Sequence, residues 1–178
     1  GRKSGGNGEG DLLIRSRTSG VVGSGALSAG GAGVASVQGT IMAQATKSKS
    51  RAFIQDNAVV NDNTSEATTQ SVAVLAESDT DLVSVSGSGG GAIVGVGITG
   101  DVMILEKETK AYIDDNATVR AGGDVSVDAV AQADLIQVAL SINGGVVGVT
   151  GSAGTAVANN LTQARIGRES TVYAGDST

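Results

Sequence analysis

The chain repeats itself, and the repeat leaves few folds open. Arg51-Ala52-Phe53-Ile54-Gln55-Asp56-Asn57-Ala58-Val59-Val60 matches Lys110-Ala111-Tyr112-Ile113-Asp114-Asp115-Asn116-Ala117-Thr118-Val119, and again Gln163-Ala164-Arg165-Ile166-Gly167-Arg168-Glu169-Ser170-Thr171-Val172. Ala52 and Ala111 are 59 residues apart, Ala111 and Ala164 are 53 apart. The stretches between these anchors repeat too. Val72-Ala73-Val74-Leu75-Ala76 corresponds to Val125-Ser126-Val127-Asp128-Ala129, and Asp81-Leu82-Val83-Ser84-Val85 to Asp134-Leu135-Ile136-Gln137-Val138. A Gly-rich apolar stretch follows each, at 89–96 and 143–149, with a degenerate copy at 29–34. A fixed period of roughly 55 residues is the mark of a repeat architecture, in which each unit buries its apolar face only against its neighbours.

Within a unit the apolar residues alternate. Ile136, Val138, Leu140 and Ile142 share one face and Gln137, Ala139 and Ser141 the other; Val72/Val74, Val83/Val85, Val102/Ile104 and Val125/Val127 continue the pattern. Period two with β-branched enrichment specifies strands. A helix over 101–112 is the competing reading of that segment, but it lacks an apolar stripe. Asn, Asp and Gly punctuate the strands at 56–57, 61–63, 114–116 and 121–124 because they tolerate corner backbone conformations. Residues 111–129 read as three short strands joined by two corners. Strands of about five residues joined in this way predict a β-solenoid, with Val and Ile columns in a narrow lumen. Over the whole chain this gives seven to nine coils and a length of ~35–45 Å at one sheet spacing per coil. Residues 1–10 read as a flexible leader, and 11–178 as a single solenoid of three repeats (11–70, 71–124 and 125–178).

Composition agrees. Aromatics are 2% of the chain (Phe53, Tyr112 and Tyr173), with no Cys, His, Trp or Pro and 28 Gly. Without Cys or His there is no disulfide scaffold, no thiolate metal site and no His-based nucleophile activation. A net charge of −6 and the lack of base-stacking side chains exclude a nucleic-acid partner. No apolar run is long enough for a transmembrane helix. The start lacks both Met and a signal-peptide h-region, which is the expectation for a piece of a longer chain.

Several groups invite a chemical reading. Asp56, Asp114 and Asp115 beside Asn57 and Asn116 offer oxygens for calcium, against the plainer reading of Asx turns and an Asn ladder. Residues 61–66 have some oxygen-ligand spacing without the Gly of an EF-hand, and 5–12 carry one imperfect copy of a calcium nonapeptide. Asp79/Asp81, or Asp124/Asp128 with Arg120, fit a polysaccharide-cleaving site, although three scattered aromatics offer little for sugar stacking. Loss of activity on an acidic polysaccharide in an Asp124→Asn/Asp128→Asn variant would support that site. Lys47, Lys49 and Arg51 share a strand face, where they either meet a sulfated glycan or are simply solvated. The Gly-rich run 86–100 reads as a longer strand pair in the wall, with a hairpin-like extension as the alternative; it lacks the Lys and following helix of a phosphate loop. Outward Thr rows for ice binding are missing, since only Thr68-Thr69 and isolated Thr occur. No catalytic, cofactor-binding or metal-ligating residue is therefore assigned, and no cofactor is expected.

Ala111-Tyr112-Ile113-Asp114-Asp115-Asn116-Ala117-Thr118-Val119-Arg120-Ala121-Gly122-Gly123-Asp124-Val125-Ser126-Val127-Asp128-Ala129 resembles the coil repeats of filamentous-haemagglutinin-like and leukotoxin-type filamentous adhesins, very large bacterial exoproteins exported by two-partner or related type V (autotransporter) secretion. Asn160-Leu161-Thr162-Gln163-Ala164-Arg165-Ile166, following a Gly-rich apolar run, is similar to that group as well. The resemblance is one of repeat style over nearly all of 11–178. It implies a right-handed parallel β-helix in a secreted, surface-exposed, non-catalytic virulence fibre whose partners are host-cell surface proteins or glycans. The family's amino-terminal secretion motif contains Pro, which this chain lacks, and no binding residue carries over.

Overall fold

The computed structural model describes residues 11–31, 33–61 and 70–175. They form nine strands: β1 (Leu12–Gly31), β2 (Ala35–Ile54), β3 (Val59–Val60), β4 (Val72–Gly91), β5 (Val94–Ile113), β6 (Thr118–Arg120), β7 (Val125–Gly144), β8 (Val147–Ile166) and β9 (Thr171–Tyr173). Among the described residues there is no helix, so none is long and apolar enough to cross a membrane. The leader 1–10, most of the 5–12 and 61–66 motifs, and Thr68-Thr69 lie outside the described residues.

Every third strand pairs in parallel, giving three sheets ordered β1-β4-β7, β2-β5-β8 and β3-β6-β9. This is a parallel β-helix. Its register is the sequence repeat made physical: Ala52 pairs with Ala111 and Ala111 with Ala164, Val72 with Val125, Asp81 with Asp134. Residues 111–129 form three strands and two corners as expected: the end of β5, then β6, then the start of β7. The 101–112 segment is strand throughout.

The coil differs from expectation in size. Six of the nine strands are 20 residues long, so each turn consumes a whole repeat. The described chain makes three coils where the five-residue strand predicted seven to nine, and the axial rise shrinks accordingly. The short strands at 118–120 were a poor guide because only the third sheet is narrow. The first two sheets face each other as a long blade. The Gly-rich runs form its far end as a strand pair in the wall, with corners at Gly33-Val34, Ala92-Ile93 and Gly145-Val146. Glycine is needed there for close approach: a Cβ on Gly145 would run into the carbonyl oxygen of Ala92.

The interior changes character along the blade. Beside the third sheet, Ile54, Val72, Val74, Ile113 and Val119 form a dry apolar core, as the lumen columns require. Further out, Leu82, Met103 and Leu105 make a second, smaller core. Beyond them the parity holds but the sides exchange. Gln137, Ala139 and Ser141 point inward, while Ile136, Val138, Leu140 and Ile142 are exposed. Val85, Val102 and Ile104 are likewise on the outside. In that distal half the lumen holds paired hydroxyls: Thr40 Oγ1 donates to Gly87 O (2.9 Å) and accepts from Ser28 Oγ (2.6 Å), and Thr99 Oγ1 pairs with Ser88 Oγ (2.9 Å). The connections between the two sheets are only two to three residues long, and beyond the second core most inward side chains are small or polar while Val and Ile face outward.

The corner row between the second and third sheets is built on left-handed backbone. Asn57, Asn116 and Glu169 have φ of 58, 55 and 56°. Asn tolerates this conformation, whereas a longer acidic side chain does not gain from it. Glu169→Asn should therefore stabilise the fold by about 0.5–1 kcal/mol, read as a higher denaturant midpoint with an unchanged slope. Val127→Asp, which puts a carboxylate against the apolar core, should cost about 2–3 kcal/mol. Ile136→Asp on the outer face should cost about 1 kcal/mol or less. Equal losses in urea titrations would overturn the inward and outward assignment.

Candidate functional site

The charged half of the blade carries the densest chemistry. On the outer face of the second sheet, Lys47, Lys49 and Arg51 project together, as their alternate spacing predicts. They do not stand alone. The 59-residue register places Glu106, Glu108 and Lys110 beside them. Lys47 Nζ lies 2.7 Å from Glu106 Oε2, and Lys49 Nζ lies 3.5 Å from Glu108 Oε2. Glu108 Oε1 is 2.7 Å from both Arg51 and Lys110. The hydrogen bonds from Lys110 and Arg51 hold the Glu108 carboxyl down to about 2 from its ordinary 4.5. The three cations are therefore not a free anion site. A shallow hollow of about 380 Å³ lies here, lined by Lys47, Lys49, Glu106, Lys107, Glu108 and Asn160 among others, and its rim mixes both charge signs.

Lys107 is the buried member of this group. Its Nζ donates to the carbonyl of Gln132 across the lumen. Burial lowers its pKa, opposed by the nearby Asp79 and Asp81 carboxylates. Asp101 is more isolated: it is buried, and neither carboxylate oxygen has a hydrogen-bond partner among protein atoms. It stacks between Met42 and Gly154, so its column supplies no second carboxylate.

The corner aspartates serve the turns. Asp115 Oδ1 accepts from the Arg168 amide (2.8 Å), Asp114 Oδ1 accepts from Arg165 (3.4 Å), and Asn116 Nδ2 reaches Asp56 Oδ1 (3.4 Å). Among the described residues no three Asp or Glu side chains gather as a cation site. Asp128 lies on the exposed outer face of the first sheet, while Asp124 sits at the corner ahead of β7, where its carbonyl accepts from Val72 N (2.8 Å). Arg120 lies over the Tyr173 ring at 5.5 Å. Asp79 and Asp81 share the outer face, with Asp81 in register with Asp134.

The aromatics are less scattered than their numbering implies. Phe53 and Tyr112 stack with ring centroids 5.3 Å apart, and Arg165 lies over Tyr112 at 5.2 Å. The three positions already align in the sequence repeat, which was the signal for this column. Compared with known proteins, the chain matches no family model, no curated protein and no solved structure.

Because the Glu108 pKa is lower in the folded chain, its ion pairs contribute fully above about pH 4.5 and lose that contribution as pH falls toward 2. Thermal unfolding should show a midpoint that drops across this window, and Glu108→Gln should flatten the drop.

Proposed function

We propose that this chain is a structural and adhesive segment of a fibre, part of a large secreted bacterial surface protein of the filamentous adhesin or leukotoxin-like kind. The observation that carries the reading is the register. Strands of 20 residues pair with their equivalents in the next coil without a break. Hydrogen bonds therefore run along the coil axis, and each coil presents the edge on which another can stack. Load along the axis is shared by many parallel bonds, and side chains on the outer faces are displayed at a fixed spacing. The work of such a segment is mechanical: it holds binding surfaces for host-cell proteins or glycans away from the bacterium. The resemblance in repeat style, above all over 111–129, supports the same reading.

Two measurements test it. Antibodies raised against this segment should label intact, unpermeabilised cells of the source bacterium. Electron microscopy of the full-length product should show a thin filament containing many such coils. Labelling only after permeabilisation, or a compact particle built around this single solenoid, would overturn the proposal.

A further inference from the structure

The outside of the distal blade contradicts the usual composition of a solvent corner. The corner row between the second and third sheets is polar, with Asp56-Asn57, Asp115-Asn116 and Arg168-Glu169. The tip row carries Val34, Ile93 and Val146, exposed to 71, 53 and 84%. The apolar surface continues from the tip down both flanks, through Leu27, Leu140 and Ile142 on one sheet and Val37, Val94 and Val149 on the other. Residues 18–46 and 135–164 contain no charged side chain, and 82–105 contain only Asp101, which is buried. Contiguous apolar surface of this kind marks a site of contact.

We infer that the tip of the blade is a lipid-binding wedge that enters the interface of a zwitterionic membrane. The shape of the apolar surface selects the occupant. It wraps a convex edge two sheets thick, ~10 Å across, and a second flat blade would cover only one flank. Fluid hydrocarbon conforms to all three sides. Charge points the same way: the tip and its flanks expose no charged side chain, and the Lys47, Lys49, Arg51 and Lys110 cluster, paired with Glu106 and Glu108, begins far back along β2, ~40 Å and several Debye lengths from the tip, so anionic headgroups offer the tip no attraction. Most hydroxyls of the distal half point inward, some paired there as Thr40–Ser28 and Thr99–Ser88, which leaves the outer face mainly apolar, as in strands that face lipid. The outermost strands β1, β2, β7 and β8 each leave one edge unpaired. These edges run the full blade, to Gly31, Ala35, Gly144 and Val147 beside the tip; unpaired backbone is excluded from hydrocarbon, so the tip corners enter only the hydrated headgroup boundary, about 5–10 Å deep. This inference does not depend on the fibre proposal.

The chain has no Cys, so Ile93→Cys and Glu106→Cys each introduce a single site for an environment-sensitive dye. With phosphatidylcholine vesicles, the dye at 93 should shift to the blue and the dye at 106 should not. The unlabelled protein should float with these vesicles. The triple variant Val34→Asp/Ile93→Asp/Val146→Asp should lose partitioning by about tenfold or more, because a carboxylate resists transfer to hydrocarbon. Its circular dichroism should be unchanged, and the milder triple Ser variant should lose binding in the same direction. Failure of the unlabelled protein to float, flotation of the Asp variant equal to the parent, or binding only to anionic vesicles would each overturn the inference. So would a lipid-free dimer, without flotation, that the Asp variant dissociates, since a second copy would then cover the tip.

Discussion

Parallel backbone pairing between equivalent residues of successive coils is the constraint on which everything else rests. A parallel ladder can repeat only if each strand returns at the same register. The chain must therefore spend the same number of residues on each circuit, or place any difference at a corner. It does the latter. The first and second sheets of the first two coils are offset by 60 and 59 residues, and the one-residue difference falls at the tip corner. The later offset is 53 throughout, and the remainder is absorbed in the connection between the third sheet and β4. Strands keep their alignment, and corners take the variation.

Stacking like on like also decides which side chains are tolerable. A column of identical charges would repel, so the outer face of the second sheet alternates: Lys47 meets Glu106, and Glu108 is shared by Lys49, Arg51 and Lys110. A column of aromatics stacks, and a cation closes it. Inside, the distance between the facing sheets is the second control. Near the narrow third sheet the lumen is wide enough for Ile and Val. Along the blade it holds Leu82, Met103 and Leu105 and then mostly Ser, Thr, Ala and Gly, with Asp101 and Gln137 among them and some hydroxyls bonding across the gap.

Much of this was legible in the residues. The spacing from Ala52 to Ala111 to Ala164 gives the coil register directly, and alternation gives the strands. Two things were not legible. Alternation states that Ile136, Val138, Leu140 and Ile142 share a face, but it is symmetric between inside and outside. The deciding quantity is the gap between sheets, a tertiary property. The coil count failed for a related reason: Asp79, Asp81 and Gly87 are turn-type residues that the strand simply runs through, so composition does not mark the 20-residue sides, and the short strands around 118–120 are typical of the third sheet alone. Of the candidate chemistry, the alignment of Lys47, Lys49 and Arg51 was readable, while their ion pairs were not, because Glu106 and Glu108 approach only across the coil boundary. The tip had a readable sign, the long uncharged stretches of each repeat, whose meaning depends on their emerging at one end of the blade.

The narrowness of the third sheet has a mechanical corollary. With strands of 20 residues on two sides and two to three residues on the other, the cross-section is a thin strap, ~65 Å wide and ~10 Å thick. Flexural rigidity grows with the cube of the dimension in the plane of bending, so such a strap resists edgewise flexure roughly 40 times more than flatwise flexure at those dimensions. Any longer stack of these coils would behave as a ribbon, free to curl or twist about its broad faces and stiff against sideways deflection, with one margin charged and the other greasy along its whole length.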